Sequence, residues 1–309
     1  MNEDCLKLTA YFGERDRANG GFLADALTEI YARHELATSL ILRGVEGFGA
    51  KHHLHTDRLL TLSEDLPIMS VAVDARERIE AAHEEVARLQ FDGLVTLERA
   101  RMLTGQIEPV ELTGEIKLTV YIGRHERVNG RPLYEAVVDL LHRRGVAGAS
   151  VLLGVDGTAH GVRERAAFFA RNAKVPLMVI AIGSGASIAG VLPELGELLP
   201  RPLVTIERVT VSALPPEAKP GTRHKLMVYT DEHRDLVLRL RRAGAAGATT
   251  LRGIWGYHGD HRPHGDTFWQ LRRRVPVVTV VVDTPQRIAR WFEIVKDAGL
   301  VTSEIVPRL

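Results

Sequence analysis

The chain repeats one sequence unit three times, which limits it to architectures assembled from three like modules. The openings are KLTAYFGERDRANG from Lys7, KLTVYIGRHERVNG from Lys117 and KLMVYTDEHRD from Lys225. A second block follows: ATSLILRGVEGFG from Ala37, AGASVLLGVDGTA from Ala147 and AGATTLRGIWGYH from Ala246. The third block reads LPIMSVAVD from Leu66, VPLMVIAIG from Val175 and VPVVTVVVD from Val275. The fourth is LVTLERARML from Leu94, LVTIERVTV from Leu203 and LVTSEIVPRL from Leu300. Spacing agrees, with 23, 22 and 23 residues from Gly44 to Pro67, Gly154 to Pro176 and Gly253 to Pro276. Unit three is nine residues shorter between its first two blocks.

Within a unit the hydrophobic period switches between strand and helix. KLTVYIG alternates like a strand. In the segment that follows, Leu133, Val137, Leu140 and Leu141 share one helical face and Gly145 sits at the C-cap. Residues 75–92 place Ile79, Ala82, Val86 and Leu89 on one side of a second helix. The order β-α-β-β-α-β predicts an α+β fold of ferredoxin-like units, each with two helices on one face of an antiparallel sheet. The other face stays open in a lone unit, and three units can close on those faces. The expected domains are 1–104, 115–212 and 223–309. Between them run TGQIEPVELTGE and SALPPEAKPGTRH, polar and rich in proline and glycine. Extended, each linker spans about 35–40 Å, enough to reach a neighbouring domain.

Composition excludes several function classes. A net charge of +1 gives no electrostatic case for nucleic acid or an anionic membrane. Cys5 is the single cysteine, so no intrachain disulfide and no thiolate zinc cluster can form. The N-terminus shows no secretory pattern, and the expected location is cytoplasmic. The charge-free stretch from Val175 to Pro193 is about one membrane span long. It aligns with a strand and helix in the other units and is read as such.

The blocks YIG…ER.NG.PLYEAVV and AGA..LRG..GFG, LHT at 54–56 and LSEDLP at 62–67 carry a resemblance. They look like the domain-of-unknown-function family 190, which is PII-like. The resemblance covers nearly the whole chain, taken three times. PII-like proteins are homotrimers of ferredoxin-like units, so it implies a covalent pseudo-trimer. Linkage would hold the units at roughly millimolar effective concentration. It also implies small ligands, mostly adenine nucleotides, in clefts between units, beneath a long loop joining the second and third strands. It further implies regulation of a membrane transport protein, a fluoride-export channel. One departure stands out: the place of the PII phosphate loop holds QFDGLVT, LPRPLVT and DAGLVTS, without lysine. No GxxxxGK[ST] occurs either, which argues against an NTPase.

The candidate ligand edge is Arg43, Gly44, Glu46, Gly47, Gly49 and Lys51 in copy one. Copy two keeps Gly154 and Gly157 with Leu153 at the arginine position, and copy three keeps Arg252, Gly253 and Gly256. Glycines let a backbone approach a ligand, or merely supply turn geometry. An arginine pairs with phosphate or carboxylate, so a cleft built on Leu153 should bind an anion more weakly. His53, His55, His258, His261 and His264, with Asp57, Asp260 and Asp266, form a candidate divalent-metal set. The bland reading is a histidine-rich solvated loop. AIGSGAS at 181–187 reads as an anion-binding helix start or an N-cap. Trp255 and Trp269 read as base-stacking or loop-packing residues.

The sequence thus predicts a non-enzymatic, PII-like regulator that binds a small anionic ligand. The alternative is a histidine-rich metal-binding protein. A small hydrolase is the third reading, without a nucleophile elbow to support it. Three units in one chain predict a monomer: light scattering should return the mass of one 34.1 kDa chain, and a mass three times larger would contradict it.

Overall fold

The computed structural model describes residues 2–49, 55–56, 65–159, 162–163, 175–215, 221–230, 235–259, 261–265 and 275–307. Unit one runs β1 (Asn2–Gly13), α1 (Leu23–Arg33), β2 (Thr38–Arg43), β3 (Glu46–Phe48), β4 (Pro67–Ala75), α2 (Arg76–Arg88) and β5 (Leu94–Thr104). Unit two runs β6 (Glu115–Gly123), α3 (Leu133–Arg143), β7 (Gly148–Leu153), β8 (Asp156–Ala159), β9 (Pro176–Ser184), α4 (Gly185–Leu198) and β10 (Leu203–Val211). Unit three runs β11 (Arg223–Thr230), α5 (Leu236–Arg242), β12 (Ala248–His258), β13 (Val277–Asp283), α6 (Pro285–Val295) and β14 (Leu300–Val306). The chain is therefore three tandem repeats of mixed helix and strand, with six helices among the described residues.

Each unit pairs its strands antiparallel in the same order: β5-β1-β4-β2, β10-β6-β9-β7 and β14-β11-β13-β12. Strand alternation then decides what each face buries. On β1, Leu6, Leu8 and Ala10 join Leu23, Leu27 and Ile79 in a core between sheet and helices. Units two and three build matching cores, for example around Leu118, Val137 and Ile188, and around Leu226, Leu240 and Trp291. The opposite faces meet in a fourth core shared by all three units, with Val71 and Met69, Tyr121 and Ile180, and Met227 and Val280. The helices form because their apolar residues recur at i, i+4 and i+7, as Leu23, Leu27 and Ile30 do in α1. The charge-free stretch resolves into β9 and α4, and Ser184 Oγ accepts from Ser187 N as the N-cap. Among the described residues no helix is long and apolar enough to cross a membrane.

The segment expected to open as a long loop after Arg43 does something else. It crosses to the next unit and continues as a strand. β3 pairs with β12 of unit three, β8 with β2 of unit one, and the end of β12 with β7 of unit two. The exchange is cyclic and joins 17 strands, three of them two-residue pieces, into one sheet. Glycine permits the crossing. Gly44, Gly154 and Gly253 donate their N–H to the carbonyls of Pro67, Pro176 and Pro276 at 2.7, 2.9 and 2.7 Å. A Cβ on Gly47, Gly157 or Gly256 would lie 2.5, 2.2 or 2.2 Å from the carbonyl oxygen of Ala248, Ser39 or Ala149 in the adjoining unit. No side chain fits there without parting the strands.

Gly157→Ala should therefore lower stability by about 1–3 kcal/mol through overpacking at the joint. Gly49→Ala, whose Cβ meets nothing within 4 Å, should change it by less than about 0.5 kcal/mol. Denaturant titration of both variants checks this; equal effects would remove the close-approach argument.

Candidate functional site

Six charged side chains meet where the three units join. Lys7, Lys117 and Lys225 come from the first strand of each unit, and Glu98, Glu207 and Glu304 from the last. All six are buried, Lys117 to 1% exposure and Glu207 to 3%. They alternate in a closed ring. Lys7 pairs with Glu98 at 2.8 Å and also with Glu207; Lys117 with Glu207 at 3.3 Å and Glu304 at 2.5 Å; Lys225 with Glu304 at 3.4 Å and Glu98 at 2.6 Å. Every lysine thus bridges the glutamate of its own unit and that of one neighbour. Three positive and three negative charges leave the ring neutral. Thr96 and Thr9 add hydroxyl donors to Glu98 Oε1 at 3.0 and 3.3 Å.

Burial works against each of these charges, and the neighbours answer it. For Glu98, burial pushes the pKa up, but Lys225 and then Lys7 hold the carboxyl well below its usual range. Glu304 is likewise lowered against burial by Lys117 and Lys225. Lys7, despite burial, is held well above its ordinary value by Glu207 and Glu98. Lys225 is raised in the same way, by Glu304 and Glu98. Lys117 is the exception: burial, aided by Lys225 and Lys7, outweighs its two carboxylates and lowers it. The three glutamates are also the one group of His, Cys, Asp or Glu among the described residues whose ligand atoms lie within 4.8 Å of one another. With three ammonium groups between them, they are a poor cation site.

Beside the ring lies a cavity of about 30 Å³, lined by the three lysines, Tyr11, Tyr121 and aliphatic and methionine side chains. That is space for a water molecule or two, not a nucleotide. The resemblance put the expected ligand at the joints between units instead. There, Arg43 is exposed and held by Glu14, with Nε to Oε1 at 2.7 Å and Nη2 to Oε2 at 2.9 Å. Arg252 is exposed and Glu46 is buried on β3. Gly44, Gly47, Gly154, Gly157, Gly253 and Gly256 form the crossings themselves, while Gly49 stands just past β3. In copy two, Arg163 bridges Asp156 and Asp25 of α1, each at 2.5 Å.

Three matches to one family model now account for the threefold pattern: residues 5–102, 115–211 and 224–308 fit DUF190, described as an uncharacterized ACR. The chain belongs to the DUF190 family. Similar proteins include a UPF0166 protein of Aquifex aeolicus, 36% identical over 73 residues. That alignment covers 23% of this chain and 70% of the relative. UPF0166 protein MJ1524 of Methanocaldococcus jannaschii is 30% identical over 84 residues, which is 26% of this chain and 76% of the relative. Each of these relatives is thus about as long as one unit of this DUF190 chain.

Of the expected metal residues, His53, Asp57, Asp260 and Asp266 lie outside the described residues, as do Lys51 of the ligand edge and Trp269. His55 is described in backbone only, pairing with Gly47. His258 ends β12 and His264 pairs back onto it at Gly256, with His261 between them. Among the described residues they are not gathered with carboxylates within 4.8 Å of one another. The sequence reading missed the ring, although the signal was present. Lysine in KLT or KLM and glutamate in LVTxE recur in the same strand positions of every copy; in copy three the latter reads LVTSE. A charge kept in three strands that bury both faces has to meet its opposite.

Lys117→Met should destabilise the DUF190 chain by about 3–5 kcal/mol, because it leaves carboxylates unbalanced inside the core. Adding Glu304→Met restores neutrality and should recover a large part of the loss; purely additive losses in this cycle would contradict the ring. With Glu98 and Glu304 lowered on folding, their contribution is complete above the unfolded value of 4.5 and fades as pH falls through the folded values. Denaturation at stepwise lower pH should show that loss.

Proposed function

We propose that the protein is a non-enzymatic, PII-like regulator in the cytoplasm: a covalent pseudo-trimer of ferredoxin-like units that binds a small anionic ligand at the joints between units. The observation that supports this most is the cyclic strand exchange. The stretch after Arg43, Leu153 or Arg252 leaves its own unit, pairs with a neighbour, and only then enters the segment before Pro67, Pro176 or Pro276. A ligand at the base of such a segment touches two units at once, so binding alters their joint and the segment together. An adenine nucleotide is the ligand implied by the resemblance to PII, and a membrane transport protein the implied partner. The relatives of one-unit length support the pseudo-trimer, since an isolated unit leaves the face carrying its lysine and glutamate uncovered.

Calorimetry against adenine nucleotides, with zinc and nickel as separate titrants, tests the reading. Nucleotide should bind at fewer than three sites per chain, since Leu153 replaces arginine in copy two. Arg43→Ala should weaken the tightest site by roughly ten- to a hundredfold, the worth of a charge-assisted contact. Glu14→Gln should tighten it, by freeing Arg43 from an exposed pair worth only about 0–1 kcal/mol. Heat with metal alone would favour the metal reading, and three equal sites untouched by Arg43→Ala would overturn the arginine's role.

A further inference from the structure

The ring is neutral as a whole but not on every side. The cavity beside it is lined by Lys7, Lys117 and Lys225 and by none of the three glutamates. Each ammonium group carries three hydrogens, and its two carboxylates engage two of them. One N–H on each lysine is left over, and the three lysines share this wall. The other polar groups on it are the hydroxyls of Thr9, Thr119, Tyr11 and Tyr121. Thr9 donates to Glu98. Tyr121 is 5% exposed and makes no hydrogen bond of ordinary geometry among the described residues, although Thr205 lies near. Burial pushes the pKa of both phenols up, so both keep their protons and can donate them. The rest of the wall is apolar, with Met69, Met178 and Met227 on it.

A wall of donors without a carboxylate selects for an acceptor. A water molecule accepts hydrogen bonds but also has two hydrogens to place, and ammonium groups take none. A monatomic anion accepts from every side. We propose that this cavity is a site for one weakly hydrated monovalent anion of the chloride or bromide class, held by Lys7, Lys117, Lys225 and Tyr121. The volume of about 30 Å³ suits a single small ion. The apolar part of the wall favours an ion that gives up its water at low cost. Such an ion touches one lysine from each unit and so stabilises the closed arrangement of all three. It also opposes what lowers Lys117, namely burial and the neighbouring Lys225 and Lys7. The site is separate from the joints and does not depend on their proposed use.

Urea denaturation of the full chain at constant ionic strength, with gluconate replaced stepwise by chloride or bromide, tests this. The midpoint should rise with the logarithm of halide concentration once the site begins to fill, because the ion binds only the folded chain. Tyr121→Phe removes one donor without changing shape and should weaken the halide effect roughly tenfold in concentration. Val280→Leu, which adds volume to the wall, should abolish it. If Val280→Leu disturbs the whole fold, Tyr121→Phe carries the comparison alone. Crystals grown in bromide should show one anomalous peak between the three lysines. A midpoint indifferent to the exchange of anion, a halide effect unchanged in Tyr121→Phe, or a cavity holding water alone in bromide crystals would overturn the site. A failure of nucleotide binding would count against the proposed function and leave this result standing.

Discussion

Six buried charges have to neutralise one another, and the rest of the structure is arranged around that requirement. Each lysine contacts the carboxylate of its own unit and that of a neighbour, so the charge pairs of the three units are interlocked. A buried ring of this kind adds little net stability, because desolvation offsets most of the attraction. Our interpretation is that its value lies in specificity. Any slip of one residue along β1, β6 or β11 would send a lysine into an apolar helix core and an apolar residue into the ring. The neutral alternation is met in one arrangement of the three units.

The outer edge of the assembly uses a different device. Strands cross from unit to unit where glycine allows backbone to meet backbone, and the crossings repeat with the same proline carbonyls. Ring and crossings together bind each unit at two places, one central and one peripheral. The copies diverge at this periphery, where Leu153, Trp255 and Arg163 differ from their counterparts. The center keeps lysine and glutamate in all three. A shared core with unlike edges suits a protein that needs one framework and several distinguishable joints.

Much of this was legible in the sequence. The repeat, the element order and the helical faces follow from periodicity, and Leu133, Val137, Leu140 and Leu141 are all buried as expected. The crossing glycines were visible, but their role was not: Gly47 reads equally as a turn or a ligand contact until Ala248 of another unit is placed beside it. The same holds for Lys7 and Glu207, 200 positions apart in the chain and bonded in the core. Local pattern identifies an element, while contacts between units depend on how the elements are set in space. His224 was also hidden. It stands where the other copies have Leu6 and Ile116, is buried without hydrogen-bond partners among the described residues, and burial lowers its pKa.

The central claim is that the three units form one cooperative body through the shared ring and core. Native-state hydrogen exchange along a denaturant series measures this most directly. The account predicts that the slowest amides of Lys7–Tyr11, Lys117–Tyr121 and Lys225–Tyr229 open together, with one free energy and one denaturant dependence. Three separate isotherms, with one unit opening while the other two stay closed, would contradict it.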